Sequence, residues 1–254
     1  FKLLQKEGAV IEASTDQGQL YRRAADAYCR ASEAGQTVLL VSPTWGEIAA
    51  VTDCLREQLK GKGVVTGKEE TRPVYDSLGW TEAQKMLGNH YEPGRQIRFV
   101  KKTEHFKAGE IAEVSEVKGK TVFLRRNSDA KMGPGTAWHP SRSPASFDVG
   151  EARELKVAPG DWLLLQANGG GFTNGERVQV KSLAPAGITL NDGRTLPPSY
   201  RTFTHGYAIT SHAAQGKTVD VALLVASSRS FAAVSRESFY VGISRARESV
   251  QVFT

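Results

Sequence analysis

Near the start of the chain, apolar positions recur with helical spacing, then run continuously, then recur with helical spacing again. In LYRRAADAYCRASEAG, Leu20, Ala24, Ala27 and Tyr28 fall near one face, with Asp16 placed to cap a helix and Gly35 to stop it. TVLLVSP (37–43) is an almost unbroken apolar run, the mark of a strand buried on both faces. Thr44 and Glu47 form a capping-box pattern ahead of IAAVTDCLREQLKGKG, where Ile48, Val51, Leu55 and Leu59 share a face and glycines close the helix. Strand, short turn and helix in succession predict a parallel α/β sheet.

From about Glu92 the pattern changes to short alternating strands with glycine turns, and it changes back after about Arg201. DVALLVAS (220–227) reads as another buried strand, SRESFYVGISRARE as a helix and SVQVFT as a closing strand. The expected organisation is an α/β domain built from residues 1–92 and 201–254, interrupted by a β-rich excursion over 93–200. The excursion carries a repeat. Phe106-x-x-Gly109-Glu110 recurs as Phe172-x-x-Gly175-Glu176, and Val114, Val117 and Leu124 match Val180, Leu183 and Leu190 at the same offset of 66. Two small five-stranded barrels, over 94–126 and 159–195, explain both copies; two unrelated hairpins are the alternative. Residues 127–150, rich in Gly, Pro and Ser, read as a loop or linker between them.

Composition adds little until the charge is mapped. Hydrophobic residues make up 40% and charged residues 24% of the 254, an ordinary globular balance. No apolar run approaches the ~20 residues of a membrane span, and FKLLQKEGAVIEAS lacks the layout of a signal peptide. Cys29 and Cys54 have no neighbouring metal ligands, so no metal site is expected, and reduced thiols in a cytoplasmic protein are. The net charge of +6 is uneven: residues 93–200 hold 16 Lys and Arg against 11 Asp and Glu. Within them, 94–126 alone holds nine basic and four acidic residues, a pattern suited to a polyanion or to a merely solvated basic face.

SHAAQGKTVD (211–220) contains Gly216-Lys217-Thr218, the ending of a phosphate-binding loop. The glycine such a loop needs five residues earlier is absent, since position 211 is Ser, so the backbone cannot curl its N–H groups round a phosphate. With YAIT before it, the same stretch reads Thr210-x-His212-x-x-Gln215-Gly216; further on, SFYVGISRARESV holds Tyr240, Ser244, Arg245 and Ala246. Together with the SPTWGEI…LREQLK segment, these stretches resemble the second RecA-like domain of superfamily 1 DNA helicases. PGDWLLLQANGGGFTNGERVQV resembles the barrel inserted in helicases of the RecD type. The paired copies and the FKLLQKEGAVIEA beginning resemble most the helicase part of conjugative relaxases of the TrwC/TraI type. The resemblance spans essentially the whole chain, though Ala213 stands where the family usually has Lys.

The resemblance implies a RecA-like parallel-sheet domain of the P-loop NTPase type without its own P-loop, interrupted by one or two SH3-like barrels. It assigns single-stranded DNA contacts to Thr44, Thr210, His212, Gln215 and Gly216, and the arginine that faces the γ-phosphate of ATP to Arg245. Arg56 stands where related helicases have a second such arginine, and Arg247 is a weaker candidate. A surface salt bridge is the alternative for each arginine, and a core hydrogen-bonding role for His212. In the insertion, Lys101, Lys102 and Lys107 are expected to track phosphates, with Arg125 and Arg126 as further candidates. Phe106, Phe172 and Trp162 are open to base stacking, although the equivalence of Phe106 and Phe172 favours core positions.

No GxxxxGK[ST] and no strand-ending Asp-Glu pair occurs in the sequence. The resemblance places those elements, with ATP and Mg²⁺, on a preceding RecA-like domain, so the chain is expected to be a fragment that is silent alone and holds neither ligand. The implied function is the DNA-gripping second motor domain of an ATP-dependent 5′-to-3′ helicase within a conjugative relaxase. The alternative is a vestigial module that binds DNA or is recognised by type IV secretion components.

Overall fold

The computed structural model describes residues 2–12, 16–126, 135–228, 230 and 233–254. The first α/β segment comprises α1 (Lys2–Lys6), β1 (Val10–Ile11), α2 (Gln17–Glu33), β2 (Val38–Val41) and α3 (Trp45–Gly61). Next come β3 (Glu70–Ser77), α4 (Glu82–Lys85), β4 (Gln96–Phe99), β5 (Ile111–Lys118), β6 (Thr121–Arg126), β7 (Thr136–Trp138) and β8 (Phe147–Val157). They are followed by β9 (Trp162–Leu165), β10 (Arg177–Ala184), β11 (Gly187–Leu190), β12 (Thr195–Leu196) and β13 (Phe203–His205). The chain closes with β14 (Ala208–Ile209), α5 (Ser211–Ala214), β15 (Val219–Val225), α6 (Arg236–Ile243) and β16 (Ala246–Phe253).

The expected parallel sheet is present, in the order β1-β16-β15-β2-β14. Helices cover both faces, which is why β2 and the end of β15 are apolar without alternation. On one face, Leu20, Ala24 and Tyr28 of α2 and Val51, Leu55 and Leu59 of α3 pack on Leu40, Leu223, Val225 and Phe253. Each such large side chain contributes ~1.5–3 kcal/mol by leaving water. On the other, Ala214, Phe239 and Ile243 from the α5–α6 region cover Leu39, Val41, Ile209 and Leu224. Asp16 caps α2 by accepting from Gly18 N at 2.9 Å. The capping box predicted at α3 forms only in half. Thr44 accepts from Glu47 N, but the buried Glu47 carboxylate turns inward, accepting from Ser42 Oγ at 2.8 Å and Ser227 N at 2.7 Å. It thereby ties the carboxyl ends of β2 and β15 together.

The repeat holds in three dimensions. Strands β4, β5 and the start of β6 map onto β9, β10 and β11 at the sequence offset of 66. The bulge between Val114 and Glu116 recurs between Val180 and Ser182. Gly94 N donates to Val114 O and Gly160 N to Val180 O, both at 2.8 Å; Gly109 N donates to Phe99 O and Gly175 N to Leu165 O, at 2.7 and 2.8 Å. All four glycines have φ between 83° and 92°, a region other residues rarely adopt. Phe106 and Phe172 are both buried, and each is covered by an arginine (Arg126 at 4.7 Å, Arg194 at 4.8 Å) that also pairs with the motif glutamate, Glu110 or Glu176. Each copy has its own apolar core. The aromatic pair is therefore structural, as its equivalence suggested.

Two expectations need correction. The β-rich region begins at β3, not at residue 93: β3 pairs along its whole length with β8 in the sheet β3-β8-β4-β5-β6-β7. Pro73 sits there because β3 is an edge strand, where a missing N–H costs no ladder bond. The second correction concerns 127–150. Residues 127–134 lie outside the described residues, but 136–138 form β7 and β8 starts at Phe147, so a good part of the supposed linker is strand.

Candidate nucleic-acid interface

The Thr-x-His-x-x-Gln stretch is a single helical turn. Thr210 leaves the carboxyl end of β14 in extended conformation and caps α5, its Oγ1 accepting from Ala213 N at 3.3 Å. The turn buries Ser211 and Ala214 against the sheet and so presents His212, Ala213 and Gln215 to solvent. His212 is thus an exposed side chain and not a core histidine. Gly216, with φ +79°, ends the turn, and Lys217 Nζ donates to Gly175 O at 3.3 Å. The lysine of the P-loop lookalike is spent on holding the motif against the second repeat.

Helix α6 packs against α5 and starts from a capping box between Ser235 and Ser238. It ends at Ile243, earlier than its sequence pattern suggests, which frees Ser244 and Arg245 as a turn before β16. Arg245 is half-buried and held by neutral acceptors alone: Nε donates to Val241 O at 3.1 Å and Nη2 to Ser244 Oγ at 2.8 Å. Among the described residues no carboxylate pairs with it, so its charge is fixed in place and uncompensated. Arg247 lies 3.8 Å from Asp220, the salt-bridge alternative. Because the sheet is parallel, Thr210 at the carboxyl end of β14 and Arg245 at the amino end of β16 stand at opposite ends of it. Thr44, half-buried at the carboxyl end of β2, shares the Thr210 end.

Arg56 does not face an open site. It is 6% exposed, and its Nε and Nη2 grip the fully buried Asp161 at 2.8 Å each while Nη2 also reaches Glu69 at 2.7 Å. Asp161 further accepts from Tyr207 OH at 2.9 Å and Ala158 N at 2.8 Å, so its carboxylate accepts four hydrogen bonds. Burial opposes the charge of Arg56, yet Asp161 and then Glu69 raise its pKa above the usual guanidinium range. Burial, reinforced by Asp161, pushes Tyr207 up as well. This buckle joins α3 to the turn that opens the second repeat, and the assignment of Arg56 to a γ-phosphate is corrected accordingly. The adjacent His205 is buried, its Nε2 is 3.0 Å from Lys156 O, and burial lowers its pKa to about 4. The ring is neutral near pH 7, and the carbonyl acceptor requires the proton on Nε2.

Lys101, Lys102 and Lys107 are exposed on the loop that carries Phe106. None of their ammonium groups is paired with a carboxylate among the described residues. Trp162, in contrast, is half-buried with Arg177 stacked on it at 4.4 Å, and packs on the α/β core. Sequence reading missed the buried Arg201 and the 59% exposed Trp45 beside Thr44. For Arg201 the sequence holds no signal, because its burial depends on strands far away in the chain.

Residues 205–253, which run from the end of β13 to β16 and include every helicase-like residue above except Thr44 and Arg56, match the model of the UvrD-like helicase C-terminal domain. Among solved structures, a Bacteroides Pif1 helicase in complex with ADP-AlF3 and ssDNA is 14% identical, over 95% of this chain and 46% of that one, with a TM-score of 0.30. Candida albicans Pif1 helicase is 11% identical, over 93% of this chain and 52% of that one, with a TM-score of 0.29. The chain spans about half the length of these structures, and at such TM-scores the likeness carries no functional weight. No curated protein matches the chain. No helix among the described residues is long and apolar enough to cross a membrane.

Proposed function

We propose that this chain is the single-stranded-DNA-gripping second motor domain of an ATP-dependent 5′-to-3′ DNA helicase, working in the cytoplasm as part of a conjugative relaxase-helicase. The observation that supports it most is Arg245, a positioned arginine that no carboxylate among the described residues pairs with, inside the segment of UvrD-like helicase type. Charge develops on the γ-phosphate oxygens during hydrolysis, and a fixed guanidinium stabilises it without reorganising. A preceding RecA-like domain would supply the phosphate loop and the Mg²⁺ carboxylates, with ATP between the two. Thr210, His212 and Gln215 would contact the DNA backbone, and the repeats would serve as SH3-like modules beside the track.

The engagement of Arg56 by Asp161 favours a second reading, a module that has left ATP work and serves DNA binding or recognition by type IV secretion components. Turnover separates the two. In the full-length protein, Arg245→Ala should lower DNA-stimulated ATP hydrolysis by roughly 10³-fold while leaving DNA binding nearly intact. The isolated chain should show no ATPase above background. Turnover by the isolated chain that survives Arg245→Ala would overturn the motor reading.

A further inference from the structure

Four residues with acidic or guanidinium side chains are buried among the described residues: Glu47, Arg56, Asp161 and Arg201. The first three are held by hydrogen bonds or ion pairs. Arg201 is not. It is 6% exposed, its Nε has no partner, and the guanidinium makes no hydrogen bond or ion pair with any described residue. Burial lowers its pKa, and the charge of the exposed Glu113 opposes this only in part. A buried cation without a partner costs several kcal/mol, and arginine cannot escape by losing its proton.

Arg201 lines a cleft of about 840 Å³ between the repeats. One wall is the Phe106 loop of the first repeat, with His105 and Lys107; the other is the 167–170 loop and Tyr200 of the second. Lys107 on this wall is exposed, and the same loop also carries the exposed Lys101 and Lys102. The cleft is much larger than a single phosphate group needs, and its lining includes both the buried Arg201 and the exposed Lys107.

We infer that Arg201 is the anchor of a phosphate site in this cleft, where a backbone phosphate of single-stranded DNA passes between the two repeats and supplies the missing counter-charge. This rests on the DNA-gripping reading, and it adds a site that none of the helicase-like residues forms. Arg201 acts here as a binding residue.

The test is oligothymidylate binding to the intact chain across a salt series, with melting measured on the same samples. Arg201→Met should bind about tenfold more weakly, with a log–log salt slope shallower by about 0.7 for one phosphate lost. It should also melt a few degrees above wild type, since an unpaired buried charge has been removed. Ala108→Glu, an exposed position on the cleft wall, should weaken binding comparably without touching the core, and carries the test if Arg201→Met does not fold. Lower melting with unchanged affinity for Arg201→Met, or unchanged affinity for Ala108→Glu, would assign Arg201 a packing role and overturn the proposal while leaving DNA gripping intact. Wild type that ignores oligothymidylate at low salt would sink the DNA-gripping reading itself. Arg201-dependent binding of poly-glutamate in that case would transfer the cleft to an acidic protein partner.

Discussion

The two repeats share a backbone and differ in what they do with it. At the turn that opens each copy, Val114 N donates to Arg95 O at 2.7 Å and Val180 N to Asp161 O at 2.8 Å. The side chains at these equivalent positions have opposite charges and opposite fates. Asp161 is fully buried and locks the second copy to α3 through Arg56. Arg95 is half-buried, and its guanidinium lies 3.1 Å from the exposed Glu151 and 3.5 Å from the exposed Glu92 in the first. Charge divides the same way: residues 94–126 hold nine basic and four acidic residues, whereas the equivalent 160–192 hold two and three. One copy is an anchor, and the other is a basic surface held out from the core. A duplicated fold can divide its labour like this because hydrogen-bonded backbone and interior apolar positions fix the architecture, leaving turn and surface side chains free to diverge.

Breaking the anchor should have the largest effect. Asp161→Ala leaves Arg56 buried with only Glu69 and should cost roughly 3–5 kcal/mol, read by chemical denaturation. Arg95→Ala, the same position in the other copy, should cost less, on the order of 1 kcal/mol, because its carboxylate partners Glu92 and Glu151 are exposed and stay hydrated without it. Equal losses would dissolve the distinction between the copies.

His205 sharpens the anchor side through pH. Its folded pKa is about 4 against an ordinary 6.5, so below pH 6.5 the unfolded chain takes up a proton that the buried ring refuses. Stability should therefore be fully present above pH 6.5 and fall as pH drops toward 4, by roughly 2–3 kcal/mol. His205→Gln keeps a donor for Lys156 O and should flatten that slope; an unchanged slope would place the titration elsewhere.

How far the sequence was legible follows from the range of the interactions. Helices α2 and α3 and strand β2 were readable because their apolar spacing is local, and the repeat because identical offsets survive in Phe106, Gly109 and Glu110. The start of the β-rich region was not, because β3 is recognisable only by its partner β8, whose Gly150, Glu151 and Arg153 break any apolar alternation. Arg56 was misassigned for the same reason, since its partner Asp161 lies 105 residues away. At Thr210 and Arg245 the motif spacing was legible, but the early end of α6, which leaves Arg245 in a turn, shows only in the fold.

The most direct test compares the two copies as DNA surfaces, by oligothymidylate affinity against salt concentration. Replacing Lys101, Lys102 and Lys107 by Gln should weaken binding of all sequences alike and flatten the log–log slope by about 2, at ~0.7 per phosphate released. Replacing Lys181 of the second copy by Gln should leave the slope nearly as it was. A slope that is unchanged by the triple substitution, or that moves equally with Lys181, would contradict the claim that of the two copies the first carries the basic, DNA-facing surface.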